Sequence, residues 1–167
     1  RVNAKLMSDI KTDPEAAIKT HGLMSLTGVK ENKDGLGVLR GKHFTELAYN
    51  PCHICPFNNN CPQEVVQALG GVRVCSLCVY AIRGIVHLPA ICAEKDKCKE
   101  MMVGILKKLN EYRLRKPSAQ NKQVMDNLES EHDRYTREVY AYEAIEQQLY
   151  MMSKNGQGEG FFLQEKE

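Results

Sequence analysis

The sequence predicts a mainly α fold in two parts: a loop-rich head tied through its cysteines, and a long antiparallel helical hairpin. Three observations carry this. Two C-x-x-C pairs, Cys52/Cys55 and Cys75/Cys78, bracket a stretch rich in turn formers. Beyond them, apolar residues recur at helical spacing through most of residues 88–153. That pattern is interrupted at Lys116-Pro117, where a helix must stop.

Composition sets the frame. A chain of 167 residues with 43% hydrophobic and 26% charged residues can bury a core and is not disordered throughout. A net charge of +2 neither demands a polyanionic partner nor excludes a local basic patch. No apolar run approaches the roughly 20 residues that span a bilayer, and no signal-peptide core is visible. A cytoplasmic, reducing setting is therefore expected, without membrane association. The chain opens on Arg1 and not on methionine, so a fragment or processed piece of a larger parent is expected.

The elements follow in order. Residues 1–25 read as helical, with Pro14, Glu15, Ala16 and Ala17 suiting a first turn. Residues 26–51 carry Gly28, Gly35, Gly37, Gly41 and Pro51 and read as loop. The two together form an N-terminal region, 1–51, ahead of a cysteine-rich module at 52–84. Within the module, Pro62–Leu69 reads as a short helix ending at Gly70-Gly71, and Val72-Arg73-Val74 alternates as a short strand does. The hairpin occupies 85–153. Its first helix is expected over 88–115, with Cys98, Met102, Ile105, Leu109 and Tyr112 on one face. Its second is expected from about 119 to 153, capped by Ser118, with Leu128, His132, Tyr135, Val139, Tyr142, Ile145, Leu149 and Met152 on its stripe. The short connection makes the pair antiparallel, and about 1.5 Å per residue gives a length of roughly 40 Å. The glycine-rich segment 154–167 reads as a flexible tail.

The seven cysteines are the chemical signal. In a reducing compartment, clustered thiols point to metal ligation over disulfides, and an odd number cannot all be paired. Two residues between cysteines let one turn aim both sulfurs at a point, so Cys52, Cys55, Cys75 and Cys78 make a four-thiolate Zn2+ site. Cys61 or His53 can replace one of them, and Cys55, Cys61, Cys75 and Cys78 form an equally legal set. A closed site of this kind is structural, with no open position for water. The competing cofactor is an iron–sulfur cluster, suggested by Cys52-x₂-Cys55-x₅-Cys61-Pro62, although cluster runs have tighter spacing. Cys92 and Cys98, six residues apart on the long helix, fall on different faces and read as buried thiols.

No motif of a complete active site is present, so the chain is expected to be non-catalytic with no small-molecule substrate. His132 reads as a core or interface residue, His87 as a packing or capping group at a helix start, and His43 as a surface residue. Arg113, Arg115, Lys116 and Lys122 gather at the hairpin tip. They read as a solvated helix end favoured by the helix dipole, or as a phosphate-contacting surface.

Cys75-Ser76-Leu77-Cys78, then His87-Leu88-Pro89-Ala90-Ile91 and two long helices, resemble the C-terminal cysteine-containing helical region of large tyrosine-type integrases, the site-specific recombinases of phages and mobile elements. The resemblance covers roughly residues 45–153. It implies a recombinase core upstream of Arg1 in the parent, so no catalytic residue is carried over and Tyr49 is not a nucleophile. Cysteines 52, 55, 61, 75 and 78 correspond to the family's cysteine region, while one additional cysteine there, and Cys92 and Cys98, depart from its pattern. The implied function is a zinc-binding accessory domain for DNA recombination and integration, assisting DNA binding or protomer assembly. The alternatives are a coiled-coil module that self-associates or binds another protein chain, and an iron–sulfur regulatory protein.

Overall fold

The computed structural model describes residues 2–25 and 35–154. Residues 26–34 of the expected loop and 155–167 of the expected tail lie outside the described residues. The architecture is mainly helical. Helices α1 (Val2–Thr12) and α2 (Pro14–His21) are separated by Asp13, whose carboxylate accepts from the Ala16 N–H at 3.3 Å. Pro14 follows at the first helical position, and Gly22 closes α2 at φ 62°, a left-handed backbone suited to glycine. His21 binds Asp9 at 2.9 Å and ties α2 back to α1.

Strand β1 (Leu23–Met24) leaves this pair and joins β4 (Arg83–Gly84) antiparallel, Leu23 opposite Gly84 and Met24 opposite Arg83. A second ribbon pairs β2 (Ala48–Tyr49) with β3 (Ile54–Cys55), closed by residues 50–53 with the Asn50 N–H on the His53 carbonyl at 2.9 Å. Ile54 and Ile82 exchange backbone hydrogen bonds of 2.7 and 3.0 Å, which join the two ribbons.

These strands correct the sequence reading. Val72-Arg73-Val74 is not a strand: Val72 is 45% exposed and Val74 only 4%, and the segment pairs with no neighbour. It is the exit from the short helix α4 (Gln63–Ala68), after Gly70 and Gly71 at φ +88° and +84°. The true strands are two residues long, too short for alternation to show in sequence. Residues 35–51 are not wholly loop either, since α3 (Gly35–Leu39) forms there and buries Leu36 and Leu39.

The N-terminal and cysteine-rich segments share one core. Leu6, Met7, Ile10, Ala17 and Leu23 pack with Leu36, Leu39, Leu47, Ile54 and Ile82. The hairpin consists of α5 (Leu88–Arg113) and α6 (Ala119–Lys154), packed along their length. Its outer layer holds Ile105, Leu109 and Leu128. Its inner layer holds Ile91, Cys98, Tyr142, Ile145 and Leu149 with Met24 of the head. The expected second-helix stripe is this buried face. Lys95 pairs with Glu146 across the hairpin, and Ser76 of the head donates to Glu138 of α6 at 3.2 Å.

One glycine is set by tertiary packing. A Cβ at Gly35 would lie 2.0 Å from the Tyr80 carbonyl oxygen, while the Gly35 N–H bonds Val79 at 3.1 Å. Gly35→Ala must push α3 away from the cysteine loop. The expected loss is about 1–3 kcal/mol, read from the urea midpoint; an unchanged midpoint would refute the close approach.

Candidate metal centre

Four thiols line one cavity of about 20 Å³: Cys55, Cys61, Cys75 and Cys78. That is room for one water-sized sphere and little more. Each cysteine arrives by its own local geometry. Cys55 ends β3. The chain then reverses through Asn58 and Asn59, at φ 51° and 62°, a region asparagine tolerates better than most residues. The reversal returns Cys61 to the same wall. Cys75 opens a tight 3₁₀ turn, Cys75–Leu77, and the Cys78 N–H bonds the Cys75 carbonyl at 3.3 Å. Phe57 and Tyr80, edge to face at 5.3 Å, form part of the rim.

Cys52 is not on this wall. It packs with the layer of Met24, Ile91 and Tyr142. The reason is local: residues 50–53 form the tight turn of the β2–β3 ribbon, so the first C-x-x-C closes a hairpin and does not aim two sulfurs at one point. Burial, with Glu94 nearby, pushes the Cys52 thiol up to about 11. Of the two alternates read from sequence, Cys61 stands among the other three thiols, and His53 also borders the cavity.

Among the described residues, no three His, Cys, Asp or Glu side chains are already drawn together as a metal-ligand group. Opposing influences act on the thiols. Burial raises the Cys78 thiol, but the backbone N–H groups of Tyr80 and Ala81 donate to its sulfur and favour the thiolate. Burial also raises Cys61, which faces Cys78, Cys55 and Cys75. Arg73 donates to the Cys75 side chain, and its guanidinium donates to Asn59 Oδ1 at 3.2 Å. Asn59 is held in turn by two amide hydrogen bonds with Asn50, 2.7 and 3.0 Å. Arg83, 1% exposed, donates to the Cys75 carbonyl at 2.6 Å. The donor set fits a soft divalent ion such as zinc, and the small cavity fits one ion better than a cluster.

The sequence singled out neither Arg73 nor Arg83. The available signal was position: Arg73 stands two residues before the second C-x-x-C and Arg83 five residues after it.

The hairpin tip is a separate surface. Arg113, Arg115, Lys116 and Lys122 are exposed and border an open hollow of about 700 Å³ that also carries Asp126 and Glu129. Arg115 lies 4.1 Å above the Tyr112 ring. Ser118 caps α6 by accepting from the Asn121 N–H at 3.0 Å, and the Asn121 amide donates to the Lys116 carbonyl at 2.9 Å. The tip backbone is therefore braced while its cationic ends reach into solvent. Tyr49 donates to the Phe44 carbonyl at 2.8 Å, a structural role. Among the described residues, no helix is long and apolar enough to cross a membrane.

Comparison with family models, with curated proteins and with solved structures finds no match to this chain.

Two buried histidines behind the cavity set a pH dependence. Burial lowers His53 and His87 to about 4, so both are neutral in the folded chain near neutral pH. His87 Nδ1 accepts from the Gly84 N–H at 2.9 Å, which a proton on that nitrogen would abolish. The unfolded chain, with histidine near 6.5, takes up protons that the folded chain refuses. Stability is thus retained above about pH 6.5 and falls as pH drops towards 4. His87→Asn, whose Oδ1 can accept the same bond without titrating, should give a shallower fall by about one proton in urea midpoints taken across that range. Equal slopes would refute the assignment.

Proposed function

We propose that this chain is a non-catalytic, zinc-stapled accessory domain of a DNA integrase or recombinase, assisting DNA binding or protomer assembly. The observation that carries the zinc part is the convergence of Cys55, Cys61, Cys75 and Cys78 on a cavity the size of one ion. Zinc binding draws the four sulfurs from the cavity wall to about 2.3 Å from a single ion. The head has two-residue strands and short helices, so such a staple adds folding free energy that its backbone pairing supplies poorly. The hairpin holds a braced, cationic tip away from the head, which supports contact with a phosphate backbone. The recombinase context rests on the motif resemblance alone.

A second reading has its own observation. Met101, Val103, Leu106, Tyr140, Tyr150 and Met151 are exposed apolar side chains on the hairpin, available to contact another chain. A dimer in light scattering, unaffected by DNA, would favour this protein-interaction module over DNA contact.

Two measurements test the proposal. Mass spectrometry of protein purified anaerobically should find one zinc per chain and no visible absorbance, and chelation should unfold the head. Iron with a visible absorption band would replace zinc by an iron–sulfur cluster. DNA affinity should fall steeply with salt, and Arg113→Glu, Arg115→Glu and Lys116→Glu should each lower the slope of log K against log salt by about 1. An unchanged slope would remove the tip from DNA contact.

A further inference from the structure

Arg83 is a buried cation in need of an anion. It is 1% exposed, and it donates to two carbonyls, Cys75 at 2.6 Å and Ala81 at 3.4 Å. Among the described residues, no carboxylate lies within ion-pair distance of it; the ion pairs there are His21–Asp9, Lys95–Glu146 and Arg134–Glu138. Arginine does not shed its proton in a protein interior, and an isolated buried charge costs several kcal/mol. The acidic groups that face Arg83 are the Tyr142 hydroxyl and three thiols, Cys78, Cys75 and Cys52.

Arg73 approaches the same cluster from the exposed side. It donates to the Cys75 side chain and faces Cys55 and Cys61 as well. Two arginines thus flank the thiols, Arg83 from the core beside Cys75 and Cys78 and Arg73 from the surface beside Cys75, Cys55 and Cys61. Four thiolates around a divalent ion carry a net charge of −2, and two guanidinium groups carry +2. With the metal centre formed, the four thiolates, the divalent ion and the two guanidinium groups sum to zero, whereas four protonated thiols leave the two positive charges unbalanced.

We propose that Arg83 and Arg73 are the counter-charges of a four-thiolate centre made by Cys55, Cys61, Cys75 and Cys78, with Cys52 outside it. This rests on the zinc reading above. Forming the centre replaces four protons with one divalent ion and leaves two negative charges, which the two guanidinium groups hold. The arginines are positioning residues: Arg73 donates to a ligand sulfur and Arg83 to a ligand backbone carbonyl, so both stand beside the charge of the formed centre. Cys52 also faces Arg83, but its place in the apolar layer of Met24, Ile91 and Tyr142 keeps it a thiol.

The test is a zinc competition titration against a coloured chelator on the full chain, with zinc content measured in parallel. Arg73 is exposed, so Arg73→Ala leaves the core intact; it should weaken zinc binding about 10- to 100-fold, with Arg73→Lys recovering part of the loss. Arg83→Met should bind zinc more weakly still, and Arg73→Ala carries the test if that variant does not fold. Cys61→Ser should lose stoichiometric zinc, and Cys52→Ser should retain it. Wild-type affinity in Arg73→Ala, or loss of zinc in Cys52→Ser with retention in Cys61→Ser, would overturn the inference and leave the zinc reading standing. A wild-type chain that takes up no zinc would overturn both.

Discussion

The backbone pairing of Ile82–Gly84 is the joint on which the other parts depend. Ile82 exchanges two hydrogen bonds with Ile54, while Arg83 and Gly84 lie opposite Met24 and Leu23. Three segments distant in sequence therefore meet at three consecutive residues. Successive side chains of an extended strand point to opposite sides, and this one divides its labour accordingly. Ile82 enters the core with Leu6, Leu36 and Leu39, whereas Arg83 turns to the carbonyl of Cys75. From Gly84 the chain passes directly to His87 and the start of α5, so the same joint aims the hairpin.

The hairpin is the more self-sufficient part. Its two helices bury a continuous apolar face, and both ends of their connection are capped within the chain. The head has little regular pairing, and its order comes from side chains bonded to backbone and to one another. Asn59 shows how this works: its left-handed backbone turns the chain, while its amide holds Asn50 and Arg73. Turn geometry and the surroundings of the thiols are thus set by the same residue. Met24, Cys52 and Ser76 link the head to α5 and α6, so the cysteine loops are packed against the hairpin.

Charge explains why this head tolerates a buried arginine. A guanidinium satisfied by carbonyls alone keeps its hydrogen bonds but not its charge balance. The acidic groups facing Arg83 are the Tyr142 hydroxyl and the thiols of Cys78, Cys75 and Cys52, while burial of Cys78 outweighs the two backbone amides that donate to its sulfur. Burial keeps His53 and His87 neutral, and the positive charge of Arg83 adds to that effect.

The sequence by itself determined the hairpin and the pairing of cysteines along the chain. Helical periodicity over α5 and α6, Pro89 at a first turn, Ser118 as a cap and Lys116-Pro117 as a break are local properties, and each recurs in the structure where the pattern put it. C-x-x-C spacing likewise announced thiols in pairs. Only the tertiary structure decided which thiols line one cavity. Cys52 and Cys55 have the spacing of a ligand pair, yet Cys52 packs in the apolar layer beyond the β2–β3 turn, while the asparagine reversal carries Cys61 to the cavity wall that Cys55 shares. The two-residue strands, the helix at Gly35–Leu39 and the burial of Arg83 were equally hidden. Each depends on a partner far along the chain, and local spacing carries no record of distant partners.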